Sequence, residues 1–272
     1  MLRNLIFVFF CITISINAIA QDPVENNDTV FNQTDKQGLK QGYWKVKYEN
    51  GHIRYKGFFK NGKPSGLLKR YYPDGTIQAK MDFSDNGKKA HTTLYYNNGI
   101  KAAEGFYVNE KKDSVWKYYS YYNKNLSAID RYDNGRKNGV CEKYYSDGSL
   151  LEELMWKDGV KDGIWNQYFQ NGRPKLTGAY KNDKRQGKFV FYYPDGSVET
   201  KGTFNKDMMD GSWVTYDPNG KVEMTIIYEM GKPQNPEVLE EKQKEFFDRI
   251  EKNKGKFPEP GEELYNSGGN MH

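Results

Sequence analysis

Cysteine is nearly missing from this sequence. Only Cys11 and Cys141 occur, and Cys11 sits in an N-terminal apolar run, so the processed chain has no internal disulfide to rely on. The three histidines, His52, His91 and His272, fall in a turn flank, a strand start and a polar tail. No two share a metal-binding spacing, and no metal site is expected. There is no basic block either. The net charge of +5 is spread along the chain, which argues against nucleic acid as a partner. Alternating carboxylates of a calcium loop, the Lys-Ser/Thr ending of a phosphate loop and any clustered Ser/His/Asp set are all lacking, so the chain reads as no enzyme and implies no cofactor. Aliphatic residues are few. The hydrophobic total is 36%, while aromatic residues alone reach 15% with 22 tyrosines. That composition rules out a thick Leu/Ile/Val core and favours a thin one made of rings, each burying a large area.

One long apolar run exists, Leu5 to Ile16, too short for a good membrane span. Arg3 ahead of it and Ala18-Ile19-Ala20 behind it complete the pattern of a signal peptide, residues 1–20, cleaved after Ala20. Cys11 inside the run does not fit lipid attachment. The expected location is the periplasm, the cell surface or the medium. Residues 21–37 read as a flexible polar leader with a short strand near Val30-Phe31.

From residue 38 to 233 the chain repeats. A small residue recurs at Gly42, Gly66, Ala90, Ser114, Gly139, Gly163, Gly187 and Gly211, at intervals of 24 residues with a single 25. Eight or nine residues later comes a turn pair: Asn50-Gly51, Asp74-Gly75, Asn98-Gly99, Asp147-Gly148, Asn171-Gly172, Asp195-Gly196 and Asn219-Gly220. In the fourth repeat Asn123-Lys124-Asn125 takes its place. These pairs suit two-residue type I′ hairpin turns. Helical periodicity is absent, so each repeat is strand, tight turn, strand, looser turn. The fold class expected is all-β: an elongated array of about eight tandem antiparallel β-hairpins, a single twisted, solenoid-like meander sheet with a short C-terminal helix.

The turn position fixes the pairing. Trp44 lies opposite Gly57 and Gly42 opposite Phe59; Trp165/Gly178 with Gly163/Tyr180 and Phe189/Gly202 with Gly187/Phe204 repeat the pattern. A glycine beneath a ring lets the ring lie across the neighbouring strand. Alternation then places Trp44, Phe59, Tyr48 and Ile53 on the buried face, with Tyr72 and Tyr193 as later copies of Tyr48. The opposite face carries a file of tyrosines, Tyr71, Tyr95, Tyr119, Tyr144, Tyr168, Tyr192 and Tyr216, among Lys45, Lys69, Lys80, Lys117 and Lys201. This file is the candidate binding site, because tyrosine offers contact area and a hydroxyl at low entropy cost. The competing reading is that tyrosine is simply a good strand former shielding a single-layer sheet. Cys141 stands where other repeats place Trp or Phe and reads as a buried apolar filler.

The unit Gly-x-Trp-x-x-Tyr-Tyr-x-Asn-Gly followed by Gly-x-aromatic-x-Asn-Gly resembles the MORN repeat (membrane occupation and recognition nexus), in the bacterial variant of antitoxin-like repeat proteins. The first repeat, from Gly42, and the sixth, from Gly163, fit best; Leu68, Thr92 and Cys141 depart at the tryptophan, Ala90 and Ser114 at the opening glycine. The resemblance implies stacked hairpins that bind proteins or lipids and implies no reaction. The expected function is an exported, non-catalytic scaffold with a protein partner along the tyrosine face. Glycan or cell-wall binding, phospholipid-surface binding and an antitoxin-like role are the alternatives. After Pro233, Asn235 as N-cap, Pro236 at the first helical position and the stripe Leu239, Gln243, Phe246 and Ile250 predict a capping helix over 234–255. A disordered tail, 256–272, is expected to follow.

Overall fold

The computed structural model describes residues 29–254. The expected signal peptide, most of the leader before Thr29, and the tail with His272 lie outside the described residues. The chain divides into two compact units, 1–111 and 112–272. The first holds β1 (Gln33–Thr34), β2 (Lys40–Lys47), β3 (Ile53–Lys60), β4 (Lys63–Tyr71), β5 (Ile77–Ser84), β6 (Lys89–Tyr95) and β7 (Lys101–Val108). The second runs β8 (Lys111–Tyr119), β9 (Leu126–Asp133), β10 (Arg136–Lys137), β11 (Gly139–Tyr144), β12 (Leu150–Lys157), β13 (Val160–Tyr168) and β14 (Pro174–Lys181). It continues through β15 (Lys184–Arg185), β16 (Gly187–Tyr192), β17 (Val198–Asn205), β18 (Met208–Tyr216), β19 (Val222–Glu229) and β20 (Lys232–Pro233), and ends in α1 (Pro236–Asn253). Within each unit successive strands pair antiparallel as a meander. Among the described residues the all-β repeat architecture and the one α-helix at its C-terminal end are as the sequence indicates.

The hairpin registers match the expected pairing: Trp44 faces Gly57, Trp165 faces Gly178 and Phe189 faces Gly202. The turns differ. Gly51 N–H donates to Tyr48 C=O at 3.0 Å, Tyr48 N–H donates to His52 C=O at 2.8 Å, and Gly51 alone of the Asn-Gly pair has positive φ, +84°. This is a three-residue loop, a type I turn closed by a left-handed glycine, in place of a type I′ turn. The residue before the glycine is selected as an acceptor: Asn50 Oδ1 takes the His52 N–H at 3.1 Å, and Asp147 Oδ1 takes the Ser149 N–H at 2.9 Å and its hydroxyl at 2.6 Å. Those bonds, the hydroxyl first, hold the Asp147 carboxyl down at about 2.

Glycines at the two repeat positions can have separate jobs, as Gly211 and Gly202 show. At Gly211, φ is +72° and a Cβ would meet nothing within 4 Å, so conformation is what requires glycine there. The β17–β18 register slips between Lys201 and Thr203 opposite this point, a bulge joining one hairpin to the next. Ala90 sits in a β5–β6 ladder with no slip, which explains why alanine is tolerated. The second glycine is the one that makes room. A Cβ on Gly178 would lie 2.4 Å from Phe189, and one on Gly202 2.2 Å from Trp213. The covering ring comes from the following strand; the partner within the hairpin does not supply it.

Buried side chains fall on the Trp44/Phe59 side as expected: Phe59, Leu68, Trp116, Phe189, Phe204 and Trp213 are all buried. Phe189, Phe204 and Trp213 form a buried cluster, with Phe204 edge-on to both neighbours at 4.8 and 4.9 Å. Cys141 is buried opposite Leu154, and burial pushes its thiol pKa up. Tyr48, Tyr72 and Tyr193, expected in the buried face, are half-buried and act through their hydroxyls. Tyr48 donates to Tyr71 C=O and Tyr72 to Tyr95 C=O; in the second unit Tyr145 donates to Tyr168 C=O and Tyr193 to Tyr216 C=O, each at 2.8 Å. Each bond ties one hairpin's turn to the next repeat. Tyr193→Phe should therefore cost about 1 kcal/mol, one net hydrogen bond, read as a lowered urea midpoint at constant slope.

Residues 29–37 of the expected flexible leader are held on β2: Phe31 bridges Tyr43, and Gln33 and Thr34 pair with Gln41 and Lys40. At the other end, β20 pairs with β19, and the Asn235 side chain accepts from Ile227 N–H at 2.9 Å and donates to Thr225 C=O at 3.0 Å. Asn235 thus occupies the N-cap position without a side-chain cap bond, because its amide serves the sheet edge. The helix starts at Pro236 as expected, but none of its residues is buried.

Candidate binding face

The tyrosine file lies at the turn ends of the strands, next to the loop bulges. Tyr71, Tyr95, Tyr119, Tyr144, Tyr168, Tyr192 and Tyr216 are all half-buried, each paired with the first residue of the returning strand, as Tyr71 with Ile77 and Tyr216 with Val222. The file is therefore a set of ring edges set into the surface, and it divides by what surrounds it in each unit.

In the first unit the neighbours are cations. Lys45 faces Lys56, Lys56 faces Lys69, and Lys69 faces Lys80, so four lysines stand side by side across β2–β5. Directly opposed like charges destabilise a sheet, and rings soften the cost. Lys45 Nζ lies 4.2 Å from the centre of Phe31, and Lys80 Nζ 5.5 Å from that of Tyr95. Beside this row, Tyr43 and Phe58 meet edge to face at 5.1 Å, and His91 lies 5.0 Å from Phe106.

In the second unit the neighbours are carboxylates. Glu142 faces Glu153, which faces Asn166. Arg131 bridges Glu142 at 2.9 Å, the Tyr144 hydroxyl also donates to Glu142, and the Tyr168 hydroxyl donates to Glu153 at 2.7 Å. Burial and then the carboxylate acceptor push Tyr144 and Tyr168 up to about 12. Burial opposes ionisation of Glu142, yet the Tyr144 and Arg131 hydrogen bonds keep its carboxyl below the usual range. The hydroxyls are fixed as donors and the rings stay neutral across the physiological range. Farther on, Tyr192 sits 3.4 Å from the Thr177 hydroxyl, and Lys201 Nζ lies 5.0 Å from the Tyr216 ring. Exposed apolar side chains lie beside these groups: Val115, Ile164 and Ile227.

The sequence placed the tyrosines and lysines on one face and missed two things. One is the alignment of Lys45, Lys56, Lys69 and Lys80, which the turn register would have given. The other is Glu142 and Glu153, which carry little repeat signal: no other repeat has a carboxylate at the Glu142 register, and only Glu104 matches Glu153. Such an arrangement can bury ring area, offer fixed donors and acceptors, and present a charge pattern.

Five stretches, residues 40–61, 64–88, 137–158, 185–206 and 209–230, match the family model described as "MORN repeat variant". Each coincides with one hairpin. The first repeat is among them, whereas the sixth, from Gly163, falls outside the matched stretches. No curated protein matches the chain. Among solved structures, the chain is similar to one in "Crystal Structure of TcdB2-TccC3-Cdc42", at 12% identity and a TM-score of 0.20. The likeness covers 68% of this chain and 12% of that one.

Proposed function

We propose that this MORN repeat protein is an exported, non-catalytic scaffold that holds a protein partner along its tyrosine-bearing face. MORN repeats are in general binding repeats, and the observation that favours this face is its composition. In the second unit Val115, Ile164 and Ile227 remain more than a third exposed there, with half-buried tyrosines whose hydroxyls are already oriented by Glu142 and Glu153. Apolar area left open on an ordered sheet, with polar groups fixed around it, is how protein-binding surfaces are composed. The test is crosslinking capture from the native cell envelope, comparing the parent with Ile164→Asp and Tyr192→Ala. The expected result is loss of the same captured partner in both variants with little change in melting temperature. Unchanged capture would count against the reading.

The lysine row favours a second reading, contact with an anionic phospholipid surface. Four lysines near such a surface contribute roughly 4 kcal/mol, a millimolar-range attraction that salt would screen. Flotation with anionic liposomes at low salt, lost at high salt and lost in Lys56→Glu/Lys69→Glu, would favour lipid; no flotation at low salt would leave the protein-binding reading alone.

A further inference from the structure

The core side of the first unit is unlike that of the second. In the second unit large rings cover the glycines, as Phe189 covers Gly178 and Trp213 covers Gly202. In the first unit Thr92 stands at the tryptophan register, facing Gly105, and Ala79, Ala90 and Ala103 are the buried neighbours. Small side chains there leave an open groove of about 960 Å³ reaching from Lys40 on β2 to Tyr107 on β7. Its floor is apolar, with Leu68, Met81 and Leu94, and Phe59 and Phe83 stand along it. The Thr92 hydroxyl is buried without a hydrogen-bond partner. Charged residues of the lining are Lys40, Arg54, Arg70 and Lys88 against the lone carboxylate of Glu110. Six strands set about 4.8 Å apart make the groove about 24 Å long.

The same chain carries an object of matching size and opposite charge. Helix α1 has 18 residues, about 27 Å. Its stripe is open to solvent: Leu239 is 36% exposed, Phe246 48%, Phe247 57% and Ile250 51%. Around the stripe α1 bears six carboxylates and four cations, an acidic excess where the groove has a basic one. An amphipathic helix with its apolar face in water is marginal alone, and helix-in-groove contact is the usual way to cover such a face.

We propose that α1 of one copy lies in the first-unit groove of a second copy. Reciprocal exchange of the two helices closes the pair as a two-fold dimer. Leu239, Phe246 and Ile250 face the floor of Leu68, Met81 and Leu94, while Glu240, Glu241 and Glu251 approach the cationic rim. Of the tyrosine file only Tyr95 borders this groove, and the substitutions that test the contact lie on α1, so its failure would leave the proposed partner face standing.

The test combines sedimentation with crosslinking of the purified chain. Sedimentation over a concentration series should show a monomer–dimer equilibrium, weakened at least tenfold in Phe246→Asp/Ile250→Asp. Those positions are exposed, so the melting temperature of the monomer should be unchanged. A photoreactive phenylalanine at Phe246, in a mixture of isotope-labelled and unlabelled copies, should crosslink between copies to residues 54–107. A monomer at every concentration, a dimer indifferent to the Asp pair, or crosslinks confined to single copies would each overturn the proposal.

Discussion

Gly202→Ala is expected to destabilise the second unit by about 3 kcal/mol, the upper part of the usual range for overpacking. The added Cβ would sit 2.2–2.6 Å from the Trp213 indole, closer than non-bonded carbons approach. The ring has little freedom to retreat: Trp213 is buried, lies 4.9 Å from Phe204, and its indole N–H donates to Thr203 C=O at 3.1 Å. Gly202 has an ordinary strand backbone, so alanine introduces no φ strain and the cost isolates the steric effect. Urea unfolding followed by tryptophan fluorescence gives the difference. Because contacts run between neighbouring repeats, the loss should appear as local weakening around β16–β19.

The second large effect concerns the two faces. Phe204→Ala should cost about 3–5 kcal/mol, since it removes a nearly inaccessible ring from the centre of the Phe189–Trp213 cluster and leaves a cavity. Tyr168→Ala should cost about 1 kcal/mol. That ring is half-buried, and Glu153, which accepts its hydroxyl, keeps the Asn166 amide at 3.4 Å as a partner. Equal large losses at both sites, measured in the same urea series, would contradict the assignment of a buried and a binding face.

Much of this fold was legible because a short repeat turns register into arithmetic. Once Asn50-Gly51 marked a turn, the pairing of Trp44 with Gly57 and of Gly42 with Phe59 followed, and seven further copies checked it. The turn type did not follow, because an Asn-Gly pair serves either a two-residue loop, where both residues need positive φ, or a three-residue loop, where only glycine does. The opening and closing glycines looked alike in sequence. Only the backbone separates Gly211, which needs its left-handed φ, from Gly202, which needs to be small. The buried role expected for Tyr193 was half right: pattern places the ring, but a hydroxyl reaching a carbonyl in the next repeat depends on the twist between repeats. Helix α1 was found from Pro236 and its stripe, while its exposure was not, because periodicity says which side is apolar and not what lies against it. At the candidate site the tyrosine file was readable and the carboxylates beside it were not, since Glu142 and Glu153 break the repeat that made everything else visible.

The claim on which the account depends is that certain glycines exist to admit a ring from the next strand. A double-mutant cycle at Gly202 and Trp213 measures it directly. Gly202→Ala should cost about 3 kcal/mol in the parent and close to nothing in a Trp213→Ala background, a coupling of 2–3 kcal/mol of the kind seen between residues in contact. An equal cost in both backgrounds would mean that glycine and ring do not depend on each other, and would contradict the account.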